Sequence, residues 1–141
     1  MRLPEYLRNK GFWALDFING GRIRKYYSEI KFLMENYYSD KAKEIRASLL
    51  KSILQHALFS VPFYREYAKD LDLSKFPVIN KGVVKDSYSL FLSRAFADKK
   101  LYSTVTSGST GTPFKLYQDK NKKLRNIADT IYFSKLAGFE I

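Results

Sequence analysis

The sequence predicts an α+β chain, mainly helical, with one β-hairpin that carries a hydroxyl-rich loop. Three observations lead there. Apolar residues recur at helical spacing in three long segments, centred on residues 23–37, 45–58 and 124–136. Two short runs rich in β-branched and aromatic residues, Tyr102, Ser103, Thr104, Val105 and then Phe114, Lys115, Leu116, Tyr117, flank a loop of glycine, serine and threonine. No further strand pattern follows the hairpin, so helices make up most of the chain.

Residues 1–38 read as two or three helices broken at Gly11 and at Gly20-Gly21. After the second break Ile23, Tyr26, Tyr27, Ile30, Leu33, Met34 and Tyr37 form one stripe. Its tyrosines are expected to pack against the following helix with their hydroxyls at the rim, an aromatic acceptor site being the sharper alternative. Ser39 can cap that following helix, which carries Ile45, Leu49, Leu50, Ile53, Leu54, Ala57 and Leu58 on one side and gives the strongest amphipathic pattern in the chain. The only histidine, His56, lies beside this stripe without a second metal-ligating residue nearby, so packing or capping is its expected role and no metal site is read.

Pro62 opens a new turn through Phe63, Tyr64 and Tyr67. Phe76-Pro77 then forces extended backbone, because a residue before proline is pushed out of the helical region. Asn80 can cap a helix reaching Leu92, with Val83, Val84, Tyr88, Phe91 and Leu92 as its apolar positions. Lys81 in its first turn reads as a solvated lysine, with a phosphate contact as the rival reading.

The loop is Thr106-Ser107-Gly108-Ser109-Thr110-Gly111-Thr112-Pro113. Two glycines allow close backbone approach to a ligand, and the hydroxyls of Thr106, Ser107, Ser109 and Thr110 can converge with backbone N–H groups on one concavity suited to phosphate oxygens. A plain polar hairpin turn has the same composition, and composition alone leaves both open. The loop is not a Walker A motif, since Gly111 leads into Thr112-Pro113 and a strand where that motif has Gly-Lys-Ser/Thr and a helix.

Beyond the hairpin, Asp119 is a good N-cap for a helix bearing Leu124, Ile127, Ala128, Ile131, Tyr132 and Leu136, closed by Gly138. Lys120, Lys122, Lys123 and Arg125 crowd its first turns, where the helix dipole favours anions. They form either a solvated basic face or a source of positive potential that draws a nucleotide to the loop.

Composition narrows the rest. A length of 141 residues with 45% apolar and 16% aromatic residues supports a folded chain of one domain and argues against disorder. Cysteine is absent, which excludes disulfides and cysteine-ligated zinc and is compatible with a reducing cytoplasm. The longest apolar run near the start, residues 12–18, is short and interrupted by Asp16, so a soluble, cytoplasmic protein is expected. A net charge of +11 suits an acidic partner, but it is spread along the chain and comes with no nucleic-acid motif.

Residues 106–113 resemble the phosphate loop of the adenylate-forming ligases, which use ATP to convert a carboxylate to an acyl-adenylate with release of pyrophosphate. Gln55-His56-Ala57, Val61-Pro62-Phe63-Tyr64-Arg65, Phe76-Pro77-Val78-Ile79-Asn80-Lys81, and Asp119 with its long helix look like the phenylacetate–coenzyme A ligase branch. Within that branch the sequence is most similar to proteins of capsular and surface polysaccharide biosynthesis. The likeness covers about the last two thirds of the chain, and with it in view the phosphate reading of the loop is preferred over the plain turn.

The resemblance implies ATP and Mg as cofactors and assigns the ATP phosphates to Thr106, Ser107, Gly108, Ser109, Thr110 and Gly111. Many members of the superfamily place lysine directly after the loop proline; here that position is Phe114, and Lys115 follows on the opposite face of a strand, so it receives no role. Residues 1–38 then read as a helical extension and 39–141 as an incomplete start of the AMP-binding domain, the N-terminal part of an α/β ligase large domain. The family's adenine-binding strand, ribose-binding aspartate, Mg-binding glutamate and catalytic lysine fall after Ile141, so no catalytic residue is assigned within these 141 residues. Activity is then expected only with the missing portion, which a C-terminal partner chain might supply in a split enzyme, and the carboxylate is not identified. The competing expectation is a non-catalytic helical interaction module, or a truncated remnant, whose basic surface binds an acidic partner.

Overall fold

The computed structural model describes residues 3–67, 70–106 and 113–139, with side chains from residue 6 onward. It is mainly helical with one small antiparallel sheet. The chain divides into two compact units, Met1–Ala42 with Asp119–Ile141, and Lys43–Gln118.

The first unit is built from α1 (Leu3–Ile18), α2 (Arg22–Glu35) and α6 (Lys120–Leu136), with the start of α3 (Asp40–Ser60). Its core is Ile23 and Ile30 of α2 against Ala128, Ile131 and Tyr132 of α6, with Phe12 and Trp13 of α1 packed on it. Burying each large aliphatic side chain is worth about 1.5–3 kcal/mol, which makes this cluster the main source of cohesion in the unit. An edge-to-face series of rings, Phe12, Trp13, Tyr27, Tyr132 and Phe133, links the three helices with centroid spacings of 5.1–6.2 Å.

Two expectations change here. The tyrosines of α2 turn towards the C-terminal helix and not the following one: Tyr26 and Tyr27 pack on the cluster formed with α6, where Tyr27 meets Tyr132. Helical spacing shows which face is apolar but not what covers it, and a helix about a hundred residues away does so here. Gly11 does not break the first helix. α1 runs through it from Leu3 to Ile18, because an isolated interior glycine costs only about 1 kcal/mol and Phe12 and Trp13, directly after it, pack on the core.

That position is open. A Cβ added at Gly11 meets nothing within 4 Å, and the backbone there is ordinary helix. Gly11→Ala is therefore expected to raise stability by about 0.5–1 kcal/mol. A shift of the denaturation midpoint to higher denaturant, with an unchanged slope, checks it.

The break at Gly20-Gly21 is real and has an unusual cap. Gly21 stands at φ 63°, ψ 22° at the head of α2, a left-handed conformation that glycine adopts without strain. No side chain beside the turn caps α2. The carboxylate of Asp16, buried in the last turns of α1, does so instead, accepting from the N–H of Ile23 at 3.1 Å and of Arg24 at 3.0 Å. The residue that interrupts the apolar run thus joins two helices.

Around the core, Arg125 of α6 pairs with Glu29 of α2 at 2.7 Å, half-buried, and lies over the Tyr26 ring. Asp119 caps α6 by accepting from the N–H of Lys122 at 2.7 Å, as cap chemistry predicts. The helix closes with the Gly138 N–H on the Lys135 carbonyl and the Phe139 N–H on that of Ser134.

The second unit holds the rest of α3, a 3-10 turn (Pro62–Glu66), the short helices α4 (Lys81–Asp86) and α5 (Tyr88–Phe91), and the strands β1 (Tyr102–Thr106) and β2 (Phe114–Gln118). Ser39 caps α3 through the Ala42 N–H, and Asn80 caps α4 through that of Val83. The single helix expected up to Leu92 is interrupted at Ser87. The stripe on α3 is only partly covered: Leu54 is buried, whereas Leu49, Leu50 and Ile53 remain exposed.

Between the 3-10 turn and α4, Asp70 is bonded to Lys75, and Asp72 accepts from both the N–H and the hydroxyl of Ser74. These bonds hold both carboxyls below the ordinary aspartate value and Lys75 above that of lysine. The segment is thereby fixed by charge and hydrogen bonding at neutral pH, and loses that support as pH falls through the depressed carboxyl values.

Candidate functional site

β1 and β2 pair antiparallel with Tyr102 opposite Gln118, Ser103 opposite Tyr117, Thr104 opposite Leu116, Val105 opposite Lys115 and Thr106 opposite Phe114. The last pair closes the mouth of the loop. Thr106 also donates its hydroxyl to the Phe114 carbonyl across a long 3.5 Å contact, so the first residue of the loop is tied to the strand that follows it. Ser107, Gly108, Ser109, Thr110 and Gly111 lie outside the described residues.

Side chains alternate across the hairpin. Thr104, Thr106, Phe114 and Leu116 share one face; Ser103, Val105, Lys115 and Tyr117 share the other. Lys115 therefore points away from Thr106, and its ammonium lies over the Tyr117 ring at 5.2 Å.

A two-stranded hairpin is marginal by itself, and both outer edges of this one are unpaired among the described residues. Its support comes from Tyr88. The phenol at the start of α5 donates to the backbone carbonyl of Lys115 at 3.1 Å, and its ring lies beside Tyr117. Burial and the neighbouring Tyr117 push this phenol above its ordinary value, with Lys115 opposing, so it stays protonated and a donor at neutral pH.

Tyr88 is in turn held from behind. Phe91, one turn along α5, stacks on Phe63 of the 3-10 turn at 4.0 Å and 26° and meets Tyr64 edge-on at 5.9 Å. Tyr64 reaches Phe76, and burial raises its phenol as well. Residues of the Val61-Pro62-Phe63-Tyr64-Arg65 and Phe76-Pro77 motifs thus pack together behind the strand that leads out of the loop.

The sequence marks Tyr88 only as an apolar helix position. The available signal was its hydroxyl, which a purely apolar site would not select. Tyr88→Phe is expected to cost about 0.5–1.5 kcal/mol, the net worth of one hydrogen bond. Faster amide exchange along β2 than along α6 would locate the loss in the hairpin.

The chain matches no protein-family model, no curated protein and no solved structure. What the site can do must therefore be judged from its own residues.

The other positions singled out in the sequence contribute little to the loop. His56 is half-buried with its ring edge-on to Phe96 at 5.7 Å, a packing role. Lys81 is exposed in the first turn of α4. Among the described residues no three His, Cys, Asp or Glu side chains come together as a metal cage. Of the four cations at the head of α6, Arg125 is committed to Glu29 and Tyr26.

By its sequence the loop offers hydroxyls and backbone N–H groups, and the described hairpin ties Thr106 to Phe114 at its ends. Such donors suit the oxygens of a polyphosphate. They fit the phosphates of a magnesium nucleotide, where the ion is held largely by phosphates and water and does not need a protein cage in the same loop.

Proposed function

We propose that the chain provides the ATP-phosphate loop of an AMP-forming carboxylate ligase of the phenylacetate–coenzyme A ligase type, acting in the cytoplasm in capsular or surface polysaccharide biosynthesis. The observation that carries the reading is the pairing of Thr106 with Phe114, which holds both ends of a glycine- and hydroxyl-rich loop at one point of a braced hairpin. Thr106, Ser107, Ser109 and Thr110 donate hydroxyls, and Gly108 and Gly111 let the backbone N–H groups come close to the β- and γ-phosphate oxygens.

MgATP supplies the electrophilic α-phosphorus that the carboxylate attacks. The loop's contribution is to orient the departing pyrophosphate and to meet its negative charge with fixed dipoles, which cost no reorganisation during the reaction. General-base and nucleophilic roles are given to no residue of this chain. No residue among these 141 is given the adenine, ribose or metal contacts.

The experiment is titration of the chain with MgATP, followed by ATP–pyrophosphate exchange on the native protein purified from its own cells, with a panel of carboxylates. Saturable ATP binding and carboxylate-dependent exchange are expected. Silence in both would favour the second reading, a helical interaction module. That reading draws on the net charge of +11 and on the uncovered Leu49, Leu50 and Ile53 of α3, which suit an acidic partner with an apolar face.

A further inference from the structure

The outward face of α1 is apolar. Phe12, Trp13 and Asp16 point into the first unit, where the two rings pack on the core and the carboxylate caps α2. On the opposite side Leu7, Gly11, Ala14 and Ile18 follow one another at steps of four, three and four residues, the spacing of a single helical row. Leu15 and Phe17 flank the row. Leu7 is 61% exposed, Leu15 62%, Ile18 77% and Phe17 81%, so four large side chains of one helix stand in water.

The borders of this stripe are basic. Lys10 lies in line with Ala14 and Phe17 at helical spacing and Arg8 in line with Leu15, and both are exposed. The only carboxylate among the described side chains of α1, Asp16, is buried on the other face. An amphipathic helix has thus been turned so that one apolar side holds the unit together and a second is offered outward between cations.

We infer that α1 lies on an anionic lipid surface, its Leu7–Ile18 row entering the headgroup region while Arg8 and Lys10 stay at phosphate level. Four observations favour lipid over the other occupants. The stripe stands on the convex side of a single helix, where a bilayer needs no matching groove. Long basic side chains at its borders can extend their stems along acyl chains and leave their charges in the headgroups. A second copy would bring another net +11 to the contact, and like charge opposes it. α1 is 16 residues long with its apolar row on one outward side, the form of a helix that lies in the interface plane. Insertion needs no unpacking, because the core-facing side of α1 stays on α2. The inference is independent of the phosphate loop.

Co-sedimentation of the full chain with vesicles tests it, using phosphatidylcholine alone or mixed with phosphatidylserine. Binding to the mixed vesicles is expected to exceed binding to phosphatidylcholine by about tenfold or more and to weaken as salt rises. The double variant Leu15→Glu with Ile18→Glu is expected to lose about tenfold or more of that binding. These side chains make little contact with the protein, so its helical circular dichroism and melting should stay as in the parent chain. Leu73→Glu, an exposed position in the other unit, should bind as the parent does.

Three results would overturn the inference. Undiminished binding of the double variant would show that charge alone attracts the chain to lipid. Absence of binding to either vesicle would remove lipid as the occupant. Dimerisation in light scattering that Ile18→Glu abolishes, with no difference between the vesicles, would give the stripe to a second copy.

Discussion

Replacing Asp16 by alanine is expected to lower the stability of the first unit by about 3 kcal/mol, the largest stability effect of any single change considered for this chain. The carboxylate accepts two backbone N–H bonds at the head of α2, at 3.1 and 3.0 Å, and is itself buried. Hydrogen bonds to a charged group contribute about 1.5–3 kcal/mol each, and a lost helix cap by itself about 0.5–2 kcal/mol. The true figure should fall between one such bond and two, because water reaches the more exposed N–H of Arg24 but not that of buried Ile23. Trp13, the sole tryptophan, packs in the same unit, so its fluorescence during denaturation reports this unfolding directly. Asp16→Asn keeps one accepting oxygen and should lose roughly half as much. A loss below about 1 kcal/mol for the alanine variant would mean that water replaces the cap and that Asp16 does not join the helices.

Asp16 also marks where sequence reading stops. Ser39, Asn80 and Asp119 were legible as caps because each acts on N–H groups three residues ahead, within its own turn. Asp16 caps from seven and eight residues upstream across a left-handed glycine turn, and no local rule reaches that far. The hairpin was legible for the same reason as the local caps: period-two alternation fixed which residues share a face, and Lys115 does oppose Phe114 in facing. The partner of α2 was not legible, since Tyr27 and Tyr132 are brought together only by the tertiary fold. Nor was the break at Ser87, where no glycine or proline punctuates the chain. At the candidate site the two strands could be read, whereas the brace could not. Tyr88 reaches the Lys115 carbonyl across 27 residues, set in place by its contact with Tyr117 and by the packing of Phe91 on Phe63.

The loop itself yields the other large effect. Substituting valine at both Gly108 and Gly111 is expected to weaken MgATP binding about a hundredfold, equivalent to about 2.7 kcal/mol. A branched side chain at either position narrows the backbone's freedom and fills the space through which main-chain N–H groups would approach a phosphate oxygen. Removing one hydroxyl, as in Ser109→Ala or Thr110→Ala, takes away a single donor and should cost only about ten- to thirtyfold, the lower part of the range for a hydrogen bond to a charged group. Stability separates the phosphate reading from a plain polar turn. The Tyr88 brace and the five strand pairs lie outside the substituted positions, so the hairpin should survive the valines with its β2 amide protection intact. Lost ATP affinity with preserved β2 protection would place the effect on phosphate approach. Equal ATP affinity in the parent and the double-valine variant would reduce the loop to a turn, and ATP would have to be bound elsewhere or not at all.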